Sequence, residues 1–344
     1  MMSAGLFCGI KRACLLGSSR NFGMNLNNNQ QNHSVSVRTW GRRRMPAETE
    51  NIFARSAVAV SFFLAAICLA ACPVSAAAGD DDGIAVVVSD HTRPFVQAME
   101  GFNSGILPEP TVYYIDDNPE LVRHRLSEKK FRLVVAIGPV AAHMVWAIVK
   151  NPAERMVLMV LDPQDLLADS HVCGVHLRVP ASDQFNLIRK KIGGGAQIGV
   201  LYNPEENAEW IGRGADAAVQ AGVELIPLTV TERQEVLKVL LAADRNIDTL
   251  LFIPDPTVIS EAMVAHLVKK ALLRGIASVG YNRFFLEVGA VLSFNIDYRA
   301  VGVLGAEIAA ERLSGRGCAL YPPPFDVGWN NRAWELVRRT RRAR

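Results

Sequence analysis

The feature that most constrains the fold is an alternation sustained from Gly83 to about Val337. Short, continuous, turn-bounded apolar runs are separated by longer segments with apolar side chains at helical spacing. IAVVV (84–88), TVYYI (111–115), LVVAI (133–137), MVLMVL (156–161), QIGVLY (197–202), VELIPL (223–228), TLLFI (249–253), ASVGY (277–281) and AVLSF (290–294) are too short for helices. They read as strands buried on both faces. ISEAMVAHLVKKALLR (259–274) typifies the intervening amphipathic helices. Alternating strands and helices make parallel sheets, because a parallel pair needs a crossover and the crossover helix covers a face. A body of this length exceeds what one core usually serves. The expectation is therefore an α/β chain with two doubly wound parallel-sheet lobes and a hinge, divided near KKIGGGAQ (190–197).

The segment before this body carries processing information. The apolar run Ala57–Ala71 is shorter than the roughly twenty residues a spanning helix needs. With Arg55 before it and Ala76–Ala78 after it, residues 45–78 read as a secretory signal. Leu69-Ala70-Ala71-Cys72 also resembles a bacterial lipobox, which would make Cys72 a lipid-modified residue; plain export is the other reading. Residues 1–44 hold no acidic residue and no sustained apolar period, so they read as disordered or as an extension ahead of a true start at Met45. A basic targeting arm is the alternative.

This division changes how the charge is read. Residues 1–56 hold eight Lys or Arg and two Glu, a net of +6, so the whole-chain +3 leaves −3 for the remainder. That balance gives no reason to expect nucleic acid as a partner. Of the six cysteines, Cys72, Cys173 and Cys318 lie beyond the signal's apolar core, too few for a disulfide framework if Cys72 is acylated. Whether Cys173 and Cys318 meet stays open at this level.

Three strand-like runs end alike, in Asp162-Pro163, Asn203-Pro204 and Asp255-Pro256. An Asx side chain caps the following turn and Pro suits a first helical turn, so each pair has a local structural use. Their common place past strand carboxyl ends is also where open parallel sheets bind ligands. Asp162, Asn203, Asp255 and Asn282 are therefore expected to face one another across a crevice.

QIGVLYNPEENAE, DTLLFIPDPTVIS and ASVGYNRFFLEVGAVLSFNIDYRAVG resemble the ABC-transporter substrate-binding proteins whose members include aromatic amino-acid binders, with the type I periplasmic-binding fold. The resemblance implies lobe one over 83–183 plus 290–315 and lobe two over 184–289 plus 316–340. It implies contacts to a small-molecule solute, such as an amino acid, from Ser89, Asp90, Pro139, Val140, Ala141, Asp162, Asn203, Asn207, Asp255, Tyr281, Asn282, Phe285 and Asp297. Tyr281 and Phe285 could sandwich the ligand, with core packing the other reading of Phe285. Three departures bear on the ligand: Pro139-Val140 stands where Thr-Pro is usual, Ala208 replaces a frequent serine, and DSHVCGVHLRVP lacks the usual Gly-Asn-x-Thr-Gly. The fold carries over; a particular ligand does not.

The implied role is an extracytoplasmic protein delivering its solute to an ABC permease, touching the membrane only through a lipid anchor and using no cofactor. A ligand-sensing module that presents its occupied form to a receptor is the alternative. Enzyme motifs find little support. In HVCGVH an extended backbone puts His171 and Cys173 on one face and His176 on the other, so no metal set converges. GRGAD (212–216) does not follow a strand, GGG (193–195) lacks the Lys-Ser/Thr of a phosphate loop, and no Gly-x-Ser-x-Gly elbow occurs.

Overall fold

The computed structural model describes residues 83–193 and 195–343. The signal segment, Cys72 and the arm before it lie outside the described residues. The strands are β1 (Ile84–Val88), β2 (Thr111–Tyr114), β3 (Leu133–Ile137), β4 (Arg155–Val160), β5 (Gly174–His176), β6 (Gln197–Tyr202), β7 (Glu224–Thr229), β8 (Thr249–Leu251), β9 (Ala277–Gly280), β10 (Leu292–Ile296), β11 (Leu320–Tyr321) and β12 (Phe325–Trp329). They form two six-stranded sheets, ordered β11-β5-β4-β3-β1-β2 and β12-β10-β9-β8-β6-β7. The ladders are parallel except for β10 against β12. Central strands such as β1 and β3 are buried along their whole length, as continuous apolar runs require. Pro227 is accommodated because its strand, β7, lies at a sheet edge.

The helices are α1 (Arg93–Gly105), α2 (Pro119–Glu128), α3 (Pro139–Ile148), α4 (Pro163–Leu167), α5 (Ala181–Lys191), α6 (Pro204–Ala221), α7 (Val236–Ala243), α8 (Glu261–Leu273), α9 (Arg283–Glu287), α10 (Tyr298–Leu313) and α11 (Asn331–Ala343). Proline stands in the first turn of α1, α2, α3, α4 and α6, where its missing N–H costs nothing. Each sheet has an apolar cluster on both faces, such as Phe102, Leu158 and Val301 on one side of the first and Ala136, Val145 and Val157 on the other. α10 lies against α1 so closely that a Cβ on Gly101 would strike the Arg299 carbonyl and one on Gly302 the Ala98 carbonyl.

The chain passes between the lobes at 177–180, at Asp297 and at 322–324. These points differ from the expected boundaries. The resemblance assigns residues 292–296 to lobe one, but β10 pairs with β9 and so extends the second sheet; the chain leaves that lobe only at Asp297, and α10 covers the first. β11, expected in lobe two, pairs with β5. The first passage precedes α5, whose Phe185 and Ile188 belong to the second lobe's core, so Gly193 and Gly195 sit between α5 and β6 inside lobe two and not at the division.

Two further features shape the region beside the passages. Cys173 and Cys318 form a disulfide with Cα atoms 5.5 Å apart. Cys173 is therefore not a free thiolate. In β4, Met159 adopts φ 63° where the register with β5 shifts between Leu158 and Val160. Such a bulge re-aims the residues after it, here Leu161 and Asp162.

Candidate functional site

Leu161, Leu177, Arg178, Trp210, Phe252, Pro254, Tyr281, Phe294, Ile296 and Tyr298 are among the residues enclosing a cavity of about 220 Å³. They come from the carboxyl end of β4, the first passage, α6, the ends of β8, β9 and β10, and the start of α10. Both lobes and two of the three passages thus meet at one apolar, aromatic space. A more open recess of about 350 Å³, lined by Asp162, Arg178, Glu206, Asn207, Asp255 and Tyr281 among others, adjoins it at Leu161 and Arg178.

Arg178 is the polar centre of this region. Its Nε donates to Asp162 Oδ1 at 2.5 Å and its Nη2 to Asn207 Oδ1 at 2.9 Å. Asn207 in turn donates through Nδ2 to Asp255 Oδ2 at 2.9 Å and to the Pro254 carbonyl at 3.2 Å. A continuous relay therefore runs from lobe one, through the passage, into lobe two. Asn207 can reach both partners because its own backbone leaves the helical region, at φ −135° and ψ 15°. Next to Arg178, His176 Nδ1 accepts the Arg178 backbone N–H at 3.1 Å. Burial, opposed in part by the Asp162 charge and aided by Arg178 and Arg213, pushes this imidazole below its ordinary range.

The phenols at the cavity wall are donors. Burial first, then the neighbouring Tyr298, pushes the Tyr281 hydroxyl up to about 12, and burial raises Tyr298 as well. Neither ionises at neutral pH, so both can donate to a ligand oxygen.

The expected site residues divide into groups. Asp162, Asn207, Asp255 and Tyr281 do gather at the adjoining recess. Asp255, however, is only 2% exposed, and its oxygens accept from Asn203 N, Asn207 Nδ2, Thr257 N and Val258 N. Its charge is spent inside lobe two rather than facing a ligand across the crevice. Asn203 caps α6 through Glu205 N and donates to Thr257, which also turns it inward. Asn282 and Asp297 line a different recess, of about 540 Å³, with Arg93, Arg283 and Arg299; Asn282 Oδ1 is buried there without a partner.

The sandwich of a ligand between Tyr281 and Phe285 is overturned. Their ring centroids lie 4.9 Å apart in a tilted pair, and Phe285 is 1% exposed in the lobe-two core against Phe252. In lobe one, Ser89 Oγ accepts the Ala141 N–H at 3.0 Å, Asp90 accepts from Thr92 N, Pro139 opens α3 and Val140 is exposed. None of these five lines the two adjoining spaces.

Arg178, Trp210 and Tyr298 escaped sequence reasoning. A lone arginine inside the apolar stretch HVCGVHLRVP was the available signal for the first. Trp210 and Tyr298 sit on helices, where an aromatic residue reads as core until tertiary packing shows a space beside it.

The pattern of the family described as ABC transporter substrate binding protein matches residues 118–323, more than half of the chain. The chain belongs to that family. Its members are solute binders, and the two sheets with their helices are the type I periplasmic-binding fold. The ligand-free, open structure of CD0873, a substrate binding protein with adhesive properties from Clostridium difficile, is 18% identical over 74% of this chain and 94% of its own, with a TM-score of 0.59. The ABC domain in complex with L-Trp from Streptococcus pneumonia is 16% identical over 75% and 94%, with a TM-score of 0.50. A conserved domain protein from Vibrio cholerae is 19% identical over the same shares, also at 0.50. At these identities the likeness shows the fold. No curated protein matches the chain.

Proposed function

We propose that this substrate-binding protein captures a small solute with an aromatic or apolar body in the 220 Å³ cavity, closes its lobes on it, and delivers it to an ABC permease. The observation that carries the reading is that cavity, walled by Trp210, Phe252, Tyr281, Phe294 and Tyr298 from both sides of the passages. Its volume lies below the roughly 300–1,000 Å³ of typical ligand pockets, which suits a molecule of amino-acid size. Stacking surfaces take the apolar body, while the Tyr281 and Tyr298 hydroxyls and the guanidinium of Arg178 suit a carboxylate. A relative of the same fold holds L-Trp, which makes aromatic amino acids the first ligands to try. Catalysis plays no part in this reading.

Delivery and place rest on family membership. The family works outside the cytoplasm, and among the described residues no helix is long and apolar enough to cross a membrane. Export through the 45–78 segment with a lipid at Cys72 is part of the proposal; Cys72→Ser should release the protein into the soluble extracytoplasmic fraction. A free N terminus at Ala77 or Gly79 in the wild type would reject the anchor.

Thermal-shift screening and calorimetry with L-Trp, L-Tyr, L-Phe, nucleobases and small peptides test the ligand class. An aromatic amino acid should raise the melting temperature, and Tyr298→Ala should weaken its binding at least tenfold, about 1.4 kcal/mol. Unchanged affinity in Tyr298→Ala would reject this cavity as the site.

A further inference from the structure

The charge of the folded body is unevenly placed. Residues 83–330 hold 23 basic and 28 acidic side chains, a net of −5, whereas α11 alone holds five arginines and one glutamate in thirteen residues. The helix buries Ala333 and Val337 against Ala277 and Val291, with Trp334 beside them. Arg341 also belongs to that inner side: its Nε donates to the Gly275 carbonyl at 2.8 Å and its Nη2 donates to the Asp248 carbonyl. Arg332, Arg338, Arg339 and Arg342 are exposed. At 3.6 residues per turn Arg332, Arg339 and Arg342 share the face opposite the buried stripe with the single Glu335, which leaves it net cationic, and Arg338 lies on its flank.

Two apolar side chains accompany them. Leu336 is 43% exposed on the same helix, and Leu273, two residues before the glycine that holds Arg341, is 61% exposed. Cations interleaved with exposed leucines match the boundary of an anionic bilayer, where headgroups take the charges and the acyl edge takes the apolar chains. Nucleic acid would use the arginines and leave the leucines in water. The Gly275 and Asp248 carbonyls precede β9 and β8, so the face lies at the amino-terminal end of the second sheet, opposite the strand ends that form the solute cavity.

We propose that the outward face of α11 is a peripheral docking surface for anionic phospholipid, separate from the solute site and from any acyl chain at Cys72. Contact there leaves the cavity open to ligand. The surface adds a weak electrostatic second signal to whatever anchors the amino terminus.

The test uses the full chain carrying Cys72→Ser, recovered from the extracytoplasmic fraction, so that no acyl chain contributes. It is sedimented with vesicles of phosphatidylglycerol and phosphatidylcholine in equal parts, and with phosphatidylcholine alone, at low and high salt. The expected result is binding to the anionic vesicles only, lost at high salt. The Arg338→Gln/Arg339→Gln/Arg342→Gln variant should bind at least tenfold less, and the corresponding triple lysine variant should retain binding. Melting temperatures matching the parent's exclude misfolding as the cause. Equal binding by the glutamine variant, equal binding to both vesicle types, or binding to a DNA duplex but not to vesicles would each overturn the proposal. Solute affinity is unaffected in every arm, so the outcome is independent of the ligand reading.

Discussion

At the scale of single residues, the strand-end acids do different work although their sequence settings match. Asp162 faces Arg178 at the edge of the cavity, while Asp255 accepts four N–H groups inside lobe two. Asp255→Asn would place an amide donor against the donors Asn203 N and Asn207 Nδ2. We expect the empty protein to lose about 1–3 kcal/mol, read as a lower melting temperature. An unchanged melting temperature would return Asp255 to a simple capping role. His176 offers a second test through pH. Its folded-state value is depressed mainly by burial, so the unfolded chain takes up a proton that the folded one refuses. That contribution to stability is fully present above the unfolded value of about 6.5 and is lost as pH falls through the folded value. Melting temperatures between pH 7 and 5 should decline less in His176→Asn, whose Oδ1 can still accept the Arg178 N–H. A parallel decline in both proteins would reject the assignment.

At the scale of elements, the first and third passages start from one anchored pair of strands. Cys173 precedes β5 by one residue and Cys318 precedes β11 by two, and β11 adds only Leu320 and Tyr321 to the sheet edge. So short a strand has few ladder hydrogen bonds of its own, and the disulfide holds it there. The bridge spans 145 residues and so restricts the unfolded chain strongly. Replacing both cysteines by serine should cost about 3–5 kcal/mol, and reduction of the parent should lower its melting temperature similarly. Identical unfolding curves with and without reductant would show that the strand stays in place without the bridge. Nine of the twelve strands among the described residues were legible in the sequence because buried parallel strands are continuous apolar runs; the short β5 and β11 and the antiparallel edge strand β12 are not such runs. The passages were not, since β10 and α10 are adjacent in the chain yet belong to different lobes.

At the scale of the whole molecule, the relay from Asp162 through Arg178 and Asn207 to Asp255 links both lobes to the first passage. In the proposed closure these bonds must be carried or rearranged, so the relay would set part of the balance between open and closed forms. Bound solute should reduce the radius of gyration measured by small-angle scattering. Arg178→Gln, which leaves Asp162 without its cation, should weaken apparent affinity by roughly tenfold as the binding-competent fraction falls. Affinity equal to the parent's would mean that the relay is structural in lobe two alone.

The amino-acid sequence by itself determined the class of this protein: apolar runs of strand length alternating with amphipathic segments permit parallel sheets covered by helices, and a body this long divides into two lobes. It also placed the Asx-Pro strand ends and the resemblance to solute binders. Tertiary structure alone decided which polar groups line the edge of the cavity and which are consumed inside a lobe. Asp162, Asn203 and Asp255 share one local pattern, and only the packing of α6, the bulge at Met159 and the neighbouring Arg178 separates them. The same holds for the aromatic residues: Phe285 and Tyr298 are alike as letters, but one fills a core and the other walls a cavity. Local sequence encodes backbone preference and hydropathy, whereas a binding site depends on distances between segments far apart in the chain, which exist only after both sheets have formed.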